Sequence, residues 1–250
     1  MKKIFLVALS LVLAISLAAC NGTKKATAYG LVHGHYVGEA VIEVDSKGVV
    51  KDIKFEEYFL PYNWAKVATP TDLENIPADV LAVDGSRGTS YYAKYVKVGD
   101  KLFTGAVTGA SGSQSIVYSA TGIDNIENWV KTSANGKWYV EQVKANAFFL
   151  ATAAGAQSTT LTRSDATSNK AMSKSESGYW TVEAPALGWK GNMAKIVEVI
   201  VGSKLDVAEA EIVKVGESKF WTVGDVVSGA TLSDFKDYYR LAKVAYDLAK

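Results

Sequence analysis

The stretch "HYVGEAVIEVDSKGVVKDIKF", residues 35–55, constrains the fold more than any other part of the chain. Tyr36, Gly38, Ala40, Ile42 and Val44 take alternate positions, "DSKG" is a turn signal, and Val50, Ile53 and Phe55 continue beyond it. Side chains alternate across a strand, so this pattern predicts a β-hairpin with one buried face. The other end of the chain has a different period. Phe235, Tyr238, Tyr239, Ala242, Ala245, Tyr246 and Ala249 fall at three- and four-residue steps, predicting a closing helix from about Leu232.

Between these ends, "YYAKYVKVGDKLF", "GYWTVEA", "AKIVEVIVG" and the end of "AEAEIVKVGESKFWTV" read as strands, while "IDNIENWVKT" has helical spacing. Residues 61–88 are less regular, and 151–178 are rich in Ala, Ser and Thr, as a linker or an irregular excursion would be. The chain also echoes itself: "VKVGDKLFTGAVTGASGS" parallels "VKVGESKFWTVGDVVSGATLS". In both, a strand leads to a Gly-Ala-[Ser/Thr] loop and then an amphipathic stretch. The repeat predicts an α+β chain of two small related domains, 30–150 and 151–250, each an antiparallel sheet with a helix after that loop.

Lys2 and Lys3, an apolar run from Ile4 and the ending "LAAC" have the layout of a secretory signal peptide over residues 1–19. The apolar run is shorter than the roughly 20 residues a spanning helix needs. "L-A-A-C" resembles the bacterial lipobox, which implies lipidation of Cys20, with residues 20–29 as a tether; a plain signal peptide or an anchor helix is the alternative. Cys20 is the only cysteine, so neither an intrachain disulfide nor a thiolate metal site is expected. His33 and His35 form a His-x-His pair with no evident further ligand, so no metal is expected; exposed imidazoles at a strand entrance are the favoured reading. Losing Lys2 and Lys3 takes the formal charge from +1 to −1, which leaves no electrostatic footprint for nucleic acid or for a polybasic membrane contact.

The segment "DVVSGATLS", residues 225–233, resembles the flavinylation motif of the FMN-binding domain family, Asp-x-x-[Ser/Thr]-Gly-Ala-[Ser/Thr]. In that family a flavin transferase esterifies the phosphate of FMN onto the last hydroxyl of the motif. The resemblance implies covalent FMN on Thr231 through a phosphoester, with Asp225, Ser228, Gly229 and Ala230 completing the motif. The hairpin "GEAVIEVDSKGVVKDIKF" resembles the family's opening strands. A phosphoester needs a hydroxyl, and Gly229 and Ala230 keep the approach open. A helix N-terminus would favour the anionic phosphate, although Thr231 or Ser233 could equally serve as its N-cap.

In the first copy Thr108, Gly109, Ala110 and Ser111 match, but Gly105 stands where Asp belongs, so Ser111 is the weaker second site. "SDATS" around Thr167 is a fainter echo with Asp165 in place of Gly. Tyr62, Trp64, Trp180, Trp189 and Trp221 are candidate surfaces for the isoalloxazine ring, or simply packing residues.

No Gly-x-Ser-x-Gly, His-Glu-x-x-His or phosphate-cradling Gly-Lys-[Ser/Thr] motif is present. With both histidines side by side in the tether region, a Ser-His-Asp triad and other catalytic residues are not expected, and the cofactor would carry the chemistry. The resemblance implies a lipid-anchored extracytoplasmic flavoprotein that relays electrons from a membrane quinol or a membrane-bound redox complex to another carrier, a reductase or an external oxidant. The alternatives are a surface lipoprotein that binds a small ligand without covalent flavin, and a structural or adhesive one.

Overall fold

The computed structural model of the chain describes residues 22–215 and 220–250. The expected signal peptide and Cys20 lie outside these residues, as do 216–219 of the second repeat copy. The elements in order are β1 (Lys24–Val32), β2 (Tyr36–Val44), β3 (Val50–Phe59), α1 (Pro61–Trp64), β4 (Lys66–Val67), β5 (Val80–Gly85), β6 (Gly88–Ala93), β7 (Tyr95–Val98), β8 (Lys101–Thr108), β9 (Ser115–Ser119), α2 (Ile126–Trp129), α3 (Ser133–Lys144), β10 (Phe148–Leu150), α4 (Lys174–Ser177), α5 (Gly188–Ile200), β11 (Ile212–Lys214), β12 (Trp221–Val223), β13 (Val226–Val227) and α6 (Phe235–Ala249). All strand pairs within the four small sheets are antiparallel, so the chain is α+β.

The expected hairpin forms as β2 and β3, with Tyr36 opposite Phe59 and Ile42 opposite Ile53. It is the centre of something larger. Residues 24–29, expected in a tether, belong to β1, which pairs with β2 from Lys24↔Val44 to Val32↔Tyr36. β2 is therefore a central strand, and Tyr36 to Ala40 are all buried instead of alternating. The two faces are covered by different helices. A Cβ on Gly38 would lie 2.8 Å from Leu241 Cδ2 of α6, and one on Gly30 would lie 3.6 Å from Leu241 Cδ1. On the opposite face Gly136 of α3 sits against Tyr29. Gly30 and Gly38 are register partners, so together they form a groove that admits Leu241.

The closing helix has the expected buried stripe, from Phe235 through Tyr238, Tyr239, Leu241, Ala242, Ala245 and Tyr246 to Ala249. It packs on β1 and β2, while α4 and α5 pack beside β3. The start and the end of the chain thus share one body. The middle of the chain supplies the sheets β4-β6-β5 and β10-β7-β8-β9. Buried hydrophobics from both halves join in one cluster, from Ala28 to Ala249.

Two expected strands are not strands. "AKIVEVIVG" lies largely in α5, whose buried residues Trp189, Asn192, Met193, Ile196 and Ile200 follow helical spacing. "GYWTVEA" is a turn and loop after α4, entered through left-handed Gly178. The Ser/Thr/Ala-rich segment is irregular but packed. Ser158 and Ser168 are buried, and the Arg163 guanidinium lies 5.6 Å from the Trp64 ring centroid and donates to Ser168 O at 2.6 Å. Among the described residues no helix is long and apolar enough to cross a membrane.

Candidate functional site

The second Gly-Ala-[Ser/Thr] loop is built on Trp221. β12 and β13 form a short hairpin turning at Gly224 and Asp225, with Thr222 opposite Val227. The chain then leaves the sheet at Ser228. The Ser228 backbone N–H and its hydroxyl both donate to Trp221 O at 2.8 Å, and Ser228 Oγ accepts from Ala230 N at 3.1 Å. The Trp221 indole donates to Leu232 O at 2.5 Å. Gly229 has φ +72°, a left-handed conformation that suits glycine, and the Lys195 stem lies against it. Ala230 is fully buried. The motif's small residues are thus internal struts of the loop.

Thr231 is held from below by Asn192 of α5. Asn192 Oδ1 accepts from Thr231 N at 2.7 Å, from Thr231 Oγ1 at 3.2 Å and from Leu232 N at 3.2 Å, while its own Nδ2 donates to Gly188 O. Asn192 has no solvent exposure. The expected helix-terminus reading fails here. α6 starts four residues after Thr231, Asp234 occupies the N-cap position without a side-chain cap bond, and neither Thr231 nor Ser233 caps the helix. The backbone N–H of Thr231 is engaged by Asn192, so it is not a ready anion donor. Asp225 is exposed at the hairpin turn, and among the described residues no hydrogen bond or ion pair ties it to the loop.

Thr231 borders a cavity of about 310 Å³ lined by His33, Lys174, Tyr179, Trp180, Trp189, Thr231, Leu232, Ser233 and Tyr238. Its base is a buried charge cluster. Glu57 is fully buried on β3; its Oε2 pairs with Lys174 Nζ at 2.7 Å, and its Oε1 accepts from Tyr238 OH at 2.5 Å and from the Trp189 indole. Lys174 Nζ also lies 3.6 Å from the Tyr36 ring centroid and 4.3 Å from that of Tyr179. Burial pushes the Lys174 ammonium down, opposed by the Glu57 carboxylate. Burial, reinforced by Glu57, drives the Tyr238 phenol far up, so it stays a donor.

At the mouth, Trp180 is half exposed and sits at φ +47°, unusual for a bulky residue. Gly188 permits this: a Cβ there would lie 2.4 Å from Trp180 O, and the next residue, Trp189, donates its N–H to that oxygen at 3.2 Å. His33, which also lines the cavity, occupies the β1–β2 turn and is paired through Nδ1 with Asp234.

Of the aromatic candidates, Trp180 and Trp189 line the cavity. Trp221 stacks on Phe235 beneath the loop. Tyr62 stacks on His35, and Trp64 is buried with its indole bonded to Tyr139 OH, so both serve packing.

The first copy is a different structure. Thr108 ends β8, Gly109 takes φ +90°, and Ala110 and Ser111 form the tip of a hairpin that returns as β9 instead of a helix. Ser111 Oγ donates to Asp84 Oδ2 at 2.6 Å. These bonds, that from Ser111 first and that from Gly112 N second, hold the Asp84 carboxyl below the usual carboxylate range. "SDATS" is turn chemistry: Asp165 Oδ1 accepts from Thr167 N and Ser168 N. Among the described residues no group of His, Cys, Asp and Glu could hold a metal ion.

Sequence reasoning missed Asn192, Glu57, Lys174 and Tyr238 as parts of one site. Only Asn192 carried a signal, a polar residue on the apolar stripe of Trp189, Met193 and Ile196, visible once that segment is taken as helix. No protein-family model matches the chain, and no curated protein or solved structure matches it either.

Proposed function

We propose that the protein is a lipid-anchored extracytoplasmic flavoprotein that relays electrons, with FMN attached to Thr231 through a phosphoester. The observation that carries this reading is the placement of the Thr231 hydroxyl beside an aromatic-lined cavity, on a loop whose shape does not depend on that hydroxyl. Asn192 holds the loop by two backbone N–H groups, and Ser228 and Trp221 hold it from the other side. Esterification would remove only the Thr231 O–H bond to Asn192.

The residues present fit such a group. Trp180 offers ring surface at the cavity, and the buried Lys174–Glu57 pair lies at its base, with Tyr238 OH and the Trp189 indole on the other Glu57 oxygen. Bound FMN would supply one- and two-electron chemistry; the chain would orient it and limit water around it. The exposed Asp225 is accessible for recognition by a flavin transferase. Lipidation of Cys20, a signal peptide over residues 1–19 and two FMN-binding-like halves belong to the same proposal. In the fold, the flavin-bearing half draws its supporting sheet from the start of the chain.

The mature protein co-expressed with a flavin transferase should remain fluorescent in a denaturing gel, and Thr231→Ala should be dark. Thr231→Ala should cost the fold about 0.5–1.5 kcal/mol, the range for one ordinary hydrogen bond. Wild-type protein without covalent flavin under those conditions would transfer the cavity to the ligand-binding alternative.

A further inference from the structure

We propose that His33 is the proton-exchanging residue of the Thr231 cavity, delivering the proton that accompanies reduction of a ring bound there. The inference rests on the flavin reading above. It starts from placement: of the two histidines, only His33 lines the cavity, and it does so beside Thr231 and Ser233.

The residue is held by three contacts, two of them through the ring. Nδ1 faces Asp234, the backbone N–H of His33 donates to Asp237 Oδ2 at 3.1 Å, and the imidazole stacks on Tyr36 with 5.8 Å between centroids. A carboxylate on Nδ1 keeps the hydrogen there and leaves Nε2 to gain and lose a proton. Among the described residues Nε2 has no hydrogen-bond partner.

The other titratable groups around the cavity are poorly suited to this exchange. Lys174 and Tyr238 are almost fully buried and engaged with Glu57, and burial drives the Tyr36 and Tyr238 phenols up. Asp237 pairs with Arg240, and Ser233 donates to Asp234. The His33 side chain is 39% exposed, so it can face the cavity and re-equilibrate with water.

The step balances as follows. An external low-potential reductant supplies an electron pair to the bound ring. The Nε2–H bond of the His33 imidazolium breaks, an N–H bond forms on a ring nitrogen, and neutral His33 takes a new proton from solvent. The Asp234 carboxylate on Nδ1 stabilises the imidazolium.

The test uses the flavinylated protein, with dithionite as reductant. The pH midpoint of the His33 imidazole, followed by NMR, should rise by at least one unit on reduction, a tenfold gain in proton affinity. His35, bonded to Glu127 and stacked on Tyr62, should stay fixed and serves as the internal control. His33→Asn suits the left-handed φ of +51°. It should slow dithionite reduction at least tenfold below neutral pH and remove the fall in rate as pH rises. An unchanged His33 midpoint, or a wild-type rate profile in His33→Asn, would overturn the inference while leaving the flavin in place. Absence of attached flavin in the wild type would overturn both readings together. If His33→Asn does not fold, the midpoint measurement on the wild type decides.

Discussion

Thr108-Gly109-Ala110-Ser111 turns one strand back onto the next, whereas Ser228-Gly229-Ala230-Thr231 carries the chain out of a hairpin toward a helix. Both loops use a left-handed glycine, and both put a hydroxyl at the fourth position. The hydroxyl of Ser111 is occupied by Asp84 on an exposed tip. That of Thr231 stands beside a cavity and donates to the buried Asn192 amide oxygen, which also accepts from the Thr231 backbone N–H. A four-residue motif therefore specifies a turn, and residues far away in sequence determine what surrounds its hydroxyl.

The largest test of this contrast is a count. Intact mass after co-expression with a transferase should show one FMN per chain, Ser111→Ala should leave that count unchanged, and Thr231→Ala should reduce it to zero. Two groups on the wild type would show that the hairpin tip is as competent as the cavity loop.

The next test concerns the cluster beneath Thr231. Glu57→Gln leaves the Lys174 ammonium buried without its carboxylate and should cost about 3–5 kcal/mol in denaturant unfolding. The pH dependence has a defined sign. Burial lowers the proton affinity of Lys174 in the folded state, so between its folded value and the ordinary lysine value of about 10.4 the unfolded chain binds more protons. Stability of the variant should therefore rise with pH across that window. A variant as stable as the wild type at neutral pH would mean that the cluster does not support the site.

Asn192→Leu should have a smaller effect. It leaves the buried Leu232 N–H without an acceptor, at about 1–3 kcal/mol, and should lower the flavin yield. Asn192→Asp retains an acceptor oxygen and should restore part of that yield. Equal yields in the two variants would show that the fastening is incidental.

The smallest effect is expected at the hairpin tip. Ser111→Ala removes the stronger of the two donors to Asp84, so the Asp84 carboxyl should move up toward its ordinary value. The stability linked to Asp84 is present above about pH 3.9 and lost as pH falls through the lower folded value. The variant should thus lose acid tolerance over a narrow range, detectable by carboxyl NMR titration, with no change in flavin content.

The periodic ends of the chain were legible because single elements set their pattern. Period two marked β2 and β3, and the aromatic and alanine stripe marked α6. β1 was not legible because Lys24, Lys25 and Thr27 are polar and largely solvent-facing; its strand character comes from pairing with β2. α5 was misread because Ile196, Val197, Val199, Ile200 and Val201 form a β-branched run, while burial on one helical face decided the outcome. Residues 225–231 stood out by resemblance alone. Their support was not: Glu57 meets Trp189 across 132 positions and Tyr238 across 181, and Asn192 meets Thr231 across 39. No local pattern encodes such contacts.

β1 runs alongside α6 in the opposite sense: Lys24 Nζ donates to the Lys250 carbonyl at one end, and His33 N donates to Asp237 at the other. The helix between these ends has 15 residues, which at 1.5 Å per residue is about 22 Å. Anchorage at the proposed Cys20, four positions before Lys24, would draw the Lys24 end toward the bilayer and hold the Thr231 cavity at the far end of this rod. A quinol confined to the lipid would then face the wrong end of the molecule. A projecting redox subunit would reach the cavity from solvent, so the length of one helix would select between the two classes of donor that the resemblance implies.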